Sequence, residues 1–382
     1  MRTAFFSALV AATLLAGCAH TLEPAPLAKA DQAVERFIAQ GQLPGAALWI
    51  ERVDRGSHHR VYGQRAVDPA PEPLDEATVF DAASLTKAVV TATLVQLLRE
   101  RGQLDVDAPL QRFLPDCGGP EKAGITLRQL LTHSSGLPSG LPRNGAGDWA
   151  GKADAQRIAC SLPLASAPGT QFRYSDVNFI LLGLIVERQG GQPLERLADE
   201  ALFQPLGMKD SGYLPLSRMA AARIAPTEHL PDGELLRGVV HDPTARKMGG
   251  VAGHAGLFTT TADLARFARM LLAGGVAEDG RRLLSRESVA LLTTPQSPPG
   301  IAELRGMGWD IATPYSRPRG SLYPATSFGH TGFTGCAMWL DPTSRSFFVL
   351  LSNRVHPALG TNVVPLYGEL GTLAAQAAGV GR

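Results

Sequence analysis

Read as a pattern of apolar and polar positions, the chain is strand-like near both ends and helical between. Asp31 to Gln40 spaces its apolar residues as a helix does, and Ala46 to Val53 followed by Arg60 to Ala66 reads as two strands around a turn at 54–57. Ser84 to Glu100 predicts a long apolar helix, with Gly102 where a left-handed cap is favoured. From about 105 to 245 short helical patterns dominate, Ile125–Thr132 and Phe179–Gln189 being the clearest. A helix over Asp263–Leu272 follows, with Thr260 and Asp263 spaced as a capping box and Gly274 at its close. Strand signals return at Met307–Ile311, Gly335–Leu340 and Phe347–Ser352, the last two joined by Asp341-Pro342-Thr343-Ser344, before a final helix over about 365–377.

Hairpins at both ends with helices between predict an α/β (α+β) fold: an antiparallel sheet built from both termini, flanked by helices, with an inserted all-α domain. The α/β domain would comprise residues 31–104 and 246–382, and the helical insertion residues 105–245. An active site is expected at their junction.

The first eighteen residues change where such a protein would work. Arg2 precedes an apolar stretch from Ala4 to Leu15, too short to cross a bilayer and of signal-peptide length. Leu15-Ala16-Gly17-Cys18 resembles the lipobox of bacterial lipoproteins, which implies cleavage after residue 17, a lipid on Cys18 and a place in the cell envelope facing the periplasm. Ala19 is in keeping with the outer membrane by resemblance to sorting rules. Residues 18–30, with Pro24 and Pro26, read as a tether from the lipidated cysteine.

Charge removes other classes of partner. The 36 Lys and Arg fall by one with Arg2 and then balance the 35 Asp and Glu, so neither nucleic acid nor an anionic membrane face is favoured. After Cys18 only Cys117, Cys160 and Cys336 remain, which permits one internal disulfide at most. No C-x-x-C or H-E-x-x-H spacing occurs, and no metal or cofactor is expected.

The candidate chemistry begins at Ser84 and Lys87. Three residues apart at a helix start, their side chains share one face within reach of a hydrogen bond. Lys87 is the only charged residue from Leu85 to Leu98, and apolar surroundings lower a lysine's pKa, so it is expected to accept the serine proton. The serine's own N–H, at the helix N-terminus, could steady an oxyanion. Taken alone, the pair could instead be a helix cap and a snorkelling lysine. Of the six lysines, however, only Lys87 has a serine three positions before it.

Ser84-Leu85-Thr86-Lys87 resembles the S-x-x-K motif of the serine β-lactamases and penicillin-binding proteins. Tyr174-Ser175-Asp176 resembles the Y-x-N element of class C β-lactamases and their family VIII esterase relatives, and His330-Thr331-Gly332, opening a predicted strand, resembles their K-T-G element. Leu130-Leu131-Thr132-His133-Ser134-Ser135-Gly136-Leu137 and Gly253-His254-Ala255-Gly256-Leu257 extend the likeness, which runs from about residue 31 to about 355. The resemblance implies a serine hydrolase in which Tyr174 shares proton transfer with Lys87, a task for which cations must depress a phenol's pKa. It also implies an oxyanion hole from the N–H groups of Ser84 and Phe333, and substrate contacts at Asp176, His330, Thr331, Gly332 and Phe333.

Two departures from the pattern bear on substrate. Asp176 replaces a neutral amide by a group that, ionised, only accepts hydrogen bonds. It could pair with Lys87, while Asn178 two residues on reads as a turn or helix-start residue. His330 replaces lysine and offers no permanent cation for a β-lactam carboxylate. Within the superfamily this points to esterases and D-amino-acid peptidases. The glycine- and proline-rich loop 136–151 carries Trp149, which either touches substrate or pins the loop.

Together these features predict an acyl-enzyme on Ser84 that hydrolyses an ester or amide, as a carboxylesterase or as a peptidase of D-amino-acid or peptidoglycan-derived substrates. A β-lactamase and a non-catalytic envelope module binding peptidoglycan in the same cleft remain alternatives. An α/β-hydrolase is excluded, because no serine has glycine at both −2 and +2.

Overall fold

The computed structural model describes residues 21–142 and 148–381. The expected signal segment and Cys18 lie outside the described residues. The first helix, α1, spans Pro24–Ala39 and starts earlier than the tether assigned to residues 18–30 allows. Pro24 occupies the first helical turn, where its missing N–H has no partner to lose, so a proline-containing stretch that reads as a break is a helix start. Leu22 and α1 residues Ala30, Ala33, Val34 and Phe37 are buried in a cluster shared with the C-terminal helix Val364–Ala377.

Strands β1 (Gly45–Arg52) and β2 (Gly56–Ala66) form the opening hairpin. The sheet also takes in β3 (Glu72–Pro73), β6 (Leu304–Arg305), β7 (Asp310–Ala312), β8 (Phe328–Gly332), β9 (Cys336–Asp341) and β10 (Ser346–Ser352). Its order is β3-β2-β1-β10-β9-β8-β7-β6, and every pairing is antiparallel. A small second sheet pairs β4 (Phe80–Asp81) with β5 (Phe258–Thr259). Because β1 pairs with β10, from Ala46 opposite Ser352 to Arg52 opposite Ser346, the sheet is built from both ends of the chain.

Period-two alternation explains the layers. Leu48 and Ile50 of β1, Trp339 of β9 and Phe348 and Leu350 of β10 face α1 and the C-terminal helix. Their neighbours Ala47, Met338, Leu340, Val349 and Leu351 face the larger core, which holds α2 (Thr93–Glu100) and the Thr261–Leu272 helix. The sheet is therefore covered on both faces. The helical region between β4 and β5 includes α3 (Leu127–Leu131), α4 (Gly151–Ser161) and α5 (Asp176–Gly190). A disulfide joins Cys117 to Cys160 at the end of α4, and Cys336 remains a buried thiol.

Candidate active site

Ser84 follows a strained turn. Ala83 has φ +46°, a left-handed conformation costing of order 1–3 kcal/mol for a residue with a Cβ. Buried Asp81 holds it there, accepting from the Ala83 N–H at 2.8 Å and the His241 N–H at 2.7 Å. Burial pushes the Asp81 carboxyl up to about 6. Thr86 Oγ1 adds a brace, donating to Ala83 O at 2.6 Å and accepting from Leu257 N–H at 3.0 Å. The helix then continues as a π-helical segment, Lys87–Ala92, before α2. Everything from Leu85 to Leu98 is buried, whereas Ser84 is partly open.

Lys87 is wholly buried and is the hub of the site. Its Nζ donates to Ser84 Oγ at 2.8 Å and to His254 O at 2.9 Å, and lies 2.8 Å from Asp176 Oδ1. The Tyr174 ring stands 5.2 Å from the same nitrogen. Here the structure corrects the expected direction of the lysine's pKa. Burial, the largest single influence, favours the neutral amine, but the charges and hydrogen bonds of Asp176 and Tyr174 together outweigh it and the pKa is raised. Lys87 is a cation at neutral pH.

The third position of the tyrosine element faces Lys87, and Asn178 does not. Ser175 caps α5 by accepting from Asn178 N–H and donates its own hydroxyl to Pro138 O, which leaves Asp176 in the first turn with its side chain partly open. Asn178 is buried and accepts from Ser135 Oγ at 2.6 Å, tying α5 to the Leu130–Leu137 stretch. Gly253 lies against α5 so closely that a Cβ there would meet Phe179 O at 2.2 Å. That contact brings the glycine-rich segment under Lys87 and presents the His254 carbonyl.

Ser84, Tyr174, His330, Thr331 and Phe333 line one pocket of about 180 Å³. The His330-Thr331-Gly332 run closes β8 instead of opening a strand, and Gly332 pairs with Cys336 across the turn into β9. His330 donates from Nδ1 to Thr331 O at 2.8 Å, so its unpartnered Nε2 is an acceptor. Burial, with Arg305 and Lys87 nearby, pulls its pKa well below the ordinary histidine value. Phe333 is exposed, stacked on His241 and under Arg354. Trp149 is not among the pocket residues: it is buried, with Lys247 Nζ 5.1 Å from its ring, and pins its loop.

The Beta-lactamase family model matches residues 30–367. The chain belongs to the β-lactamase family. It is a serine hydrolase of that family. This family member is 34% identical over 316 residues to the "Putative D-alanyl-D-alanine carboxypeptidase" of Escherichia coli (strain K12), covering 75% of this chain and 71% of that protein. Among solved structures it resembles a penicillin-binding protein homolog from Caulobacter crescentus, with TM-score 0.74, 20% identity and coverage of 93% of this chain and 98% of that one. It also resembles EstCE1, a hydrolase with promiscuous acyltransferase activity, at TM-score 0.72 and 20% identity, covering 93% and 98% of the two chains. The two structural likenesses show the fold.

Four pocket or near-pocket residues of this β-lactamase-family chain escaped the reading of the sequence as site residues. Arg305, 1% exposed, donates to Gly308 O at 3.2 Å and lies 3.6 Å from Asp310, and both line the pocket. Tyr315 forms another wall, its ring centroid 5.3 Å from that of Tyr174. His133, at φ +56°, packs its ring 4.5 Å from Tyr174 and accepts the Ser175 N–H on Nδ1 at 3.1 Å. Only His133 had a signal, lying inside a family-like stretch. Asp310 lies within the predicted strand Met307–Ile311, but nothing marked it as a site residue, and Arg305 and Tyr315 come from a two-residue strand and a turn without periodicity.

Proposed function

We propose that Ser84 is the nucleophile of an acyl-enzyme mechanism that cuts a peptide bond beside a D-amino acid in cell-envelope material. The observation that carries this reading is the 2.8 Å hydrogen bond from Lys87 Nζ to Ser84 Oγ at the mouth of the pocket. An ammonium that donates to Oγ cannot also take its proton. Tyr174, acting as a phenolate beside the same cation, accepts that proton and passes it to the leaving amine; as a phenolate again it deprotonates the water that releases the acid and returns that proton to Ser84 Oγ. Lys87 steadies the phenolate before the transfer, and the negative charge then passes to the tetrahedral intermediate. The N–H groups of Ser84 and Phe333 hold the oxyanion, and Asp176 positions Lys87. These steps need no cofactor.

A peptide substrate is supported by the name of the Escherichia coli relative and by a small pocket suited to one residue next to Ser84. His330 offers a lone pair where a lysine would offer a cation, so it can accept a substrate N–H. Attachment through a lipid on Cys18 would hold the enzyme at the membrane facing that material. No helix among the described residues is long and apolar enough to cross a membrane. Incorporation of an alkynyl fatty acid, lost in Cys18→Ser, tests the anchor.

The deciding experiment is intact-protein mass spectrometry of the full chain after exposure to a fluorophosphonate and, separately, to benzylpenicillin. The expected result is one adduct from each, mapped to Ser84 and absent in Ser84→Ala, with D-alanine released from an acyl-D-alanyl-D-alanine peptide. Labelling by the fluorophosphonate alone, without D-alanine release, would move the substrate to simple esters. An unlabelled folded protein would overturn the mechanism.

A further inference from the structure

Beyond the wall formed by residues 313–316 lies a second, larger hollow. Tyr315 lines the catalytic pocket, while Thr313 and Ser316 line an open groove of about 860 Å³. Ser316 joins the two, its Oγ donating at 2.9 Å to Asp310, a residue of the catalytic pocket. Arg317 and Arg319 stand in the groove, and neither guanidinium has a hydrogen-bond or ion-pair partner among the described residues. The one carboxylate lining the groove, Glu369, is already engaged by Arg36 at 2.6 Å. The turn that carries the arginines is held in place by close packing: a Cβ at Gly371 of the C-terminal helix would meet Pro318 O at 1.9 Å, and Ser321 N–H donates to Thr372 Oγ1 at 3.0 Å. Two uncompensated cations on a fixed turn are a site for carboxylates.

We infer that this groove binds a carboxylate-bearing peptide chain, the continuation of the leaving part of the substrate past its first residue. The inference rests on the reading above, in which Tyr174 protonates the leaving amine. The leaving residue then occupies the pocket that Tyr174 lines, and the chain beyond it passes over the Tyr315 wall into the groove. The substrate class is thus a D-amino-acid peptide cut at an internal bond, with acidic residues on the leaving side, as well as one cut at its last residue.

The test is direct binding to the full chain carrying Ser84→Ala. The probe is D-Ala followed by three D-Glu with rhodamine at the carboxyl end, compared by fluorescence anisotropy with the matching D-Gln peptide. The acidic peptide is expected to bind about tenfold more tightly than the amide one, an advantage lost in Arg317→Ala/Arg319→Ala and retained in Arg317→Lys/Arg319→Lys. Equal affinity for the two peptides, or an acidic peptide bound unchanged by the double alanine variant, overturns the inference. Peptides that carry the same leaving chains are then offered to the chain with Ser84 intact. Arginine-dependent binding without cleavage of any D-alanyl peptide leaves the groove standing and overturns the hydrolase reading. Cleavage that ignores both the acidic extension and the arginines overturns the groove alone.

Discussion

Lys87 and His330 are basic side chains buried beside the same catalytic pocket, and they end in opposite charge states. Burial opposes charge in both. Lys87 has Asp176 at 2.8 Å and keeps its proton. His330 has the cations Arg305 and Lys87 as its charged neighbours, and stays neutral. The difference lies in the sign of the nearest charge, with burial common to both. The two departures from the family pattern, Asp for Asn and His for Lys, shift the site's charge in the same direction. The carboxylate adds a negative charge on one side, and the histidine removes a positive charge on the other.

The largest effect should come from removing the charged member. Lys87→Met preserves the apolar packing of its stem and leaves Asp176, which is partly exposed, able to hydrate. Peptide hydrolysis should fall about 10³-fold, the scale of a lost proton-transfer partner, with the fold retained. A loss under tenfold, measured as kcat for D-alanine release, would mean that the ammonium is incidental. Reversing the other member should act on stability instead. His330→Lys places a third cation beside Arg305 and Lys87 and should cost about 2–4 kcal/mol in urea unfolding at pH 7. An unchanged midpoint would show that this wall tolerates charge and that neighbouring cations do not set the contrast.

How much of this was legible in the sequence follows from the range of each interaction. The β1–β2 and β9–β10 hairpins were readable because alternation and turn chemistry are local. Ser84, Lys87 and Tyr174 were readable as types at motif spacing, and the structure brings them together. The charge of Lys87 was legible only in part: pairing with Asp176 was open from the sequence, but the apolar run pointed to a lowered pKa, and the balance is decided by a 2.8 Å contact from α5. Arg305 sits on a two-residue strand with an irregular register, which carries no pattern at all. The start of α1 at Pro24 was hidden for a different reason, since proline marks both helix starts and breaks.

Asp176→Asn sharpens the comparison by taking away the charge that distinguishes Lys87. The largest of the influences that oppose burial is then gone, and the lysine's pKa should drop. If Lys87 works as a cation, the alkaline limb of the kcat/KM profile moves to lower pH. Should the acid limb move down instead, with activity gained below neutrality, Lys87 is the base and the assignment to Tyr174 fails.

The smallest effect concerns the neutral side of the pair. His133 and His330 are both held well below the ordinary histidine value, chiefly by burial. Unfolded, each takes a proton near pH 6.5, whereas folded it does so only at lower pH. The folded state therefore binds fewer protons below about 6.5, so stability is level above that pH and declines as the pH falls beneath it. The slope reaches about 1.4 kcal/mol per pH unit for each histidine. Burial lowers His241 and His356 in the same direction. Asp81 works the other way: raised to about 6, it gains its proton in the fold first and adds stability as pH falls through that value. Asp263, also raised by burial, acts in the same sense as Asp81, and these two carboxyls against four imidazoles leave a net decline. Urea midpoints at pH 8.5, 7.5 and 5.5 should be nearly level between the first two and drop at the third, with a shallower drop in His330→Gln. The same drop in both proteins would place the acid sensitivity elsewhere and leave the neutrality of His330 without a role in stability.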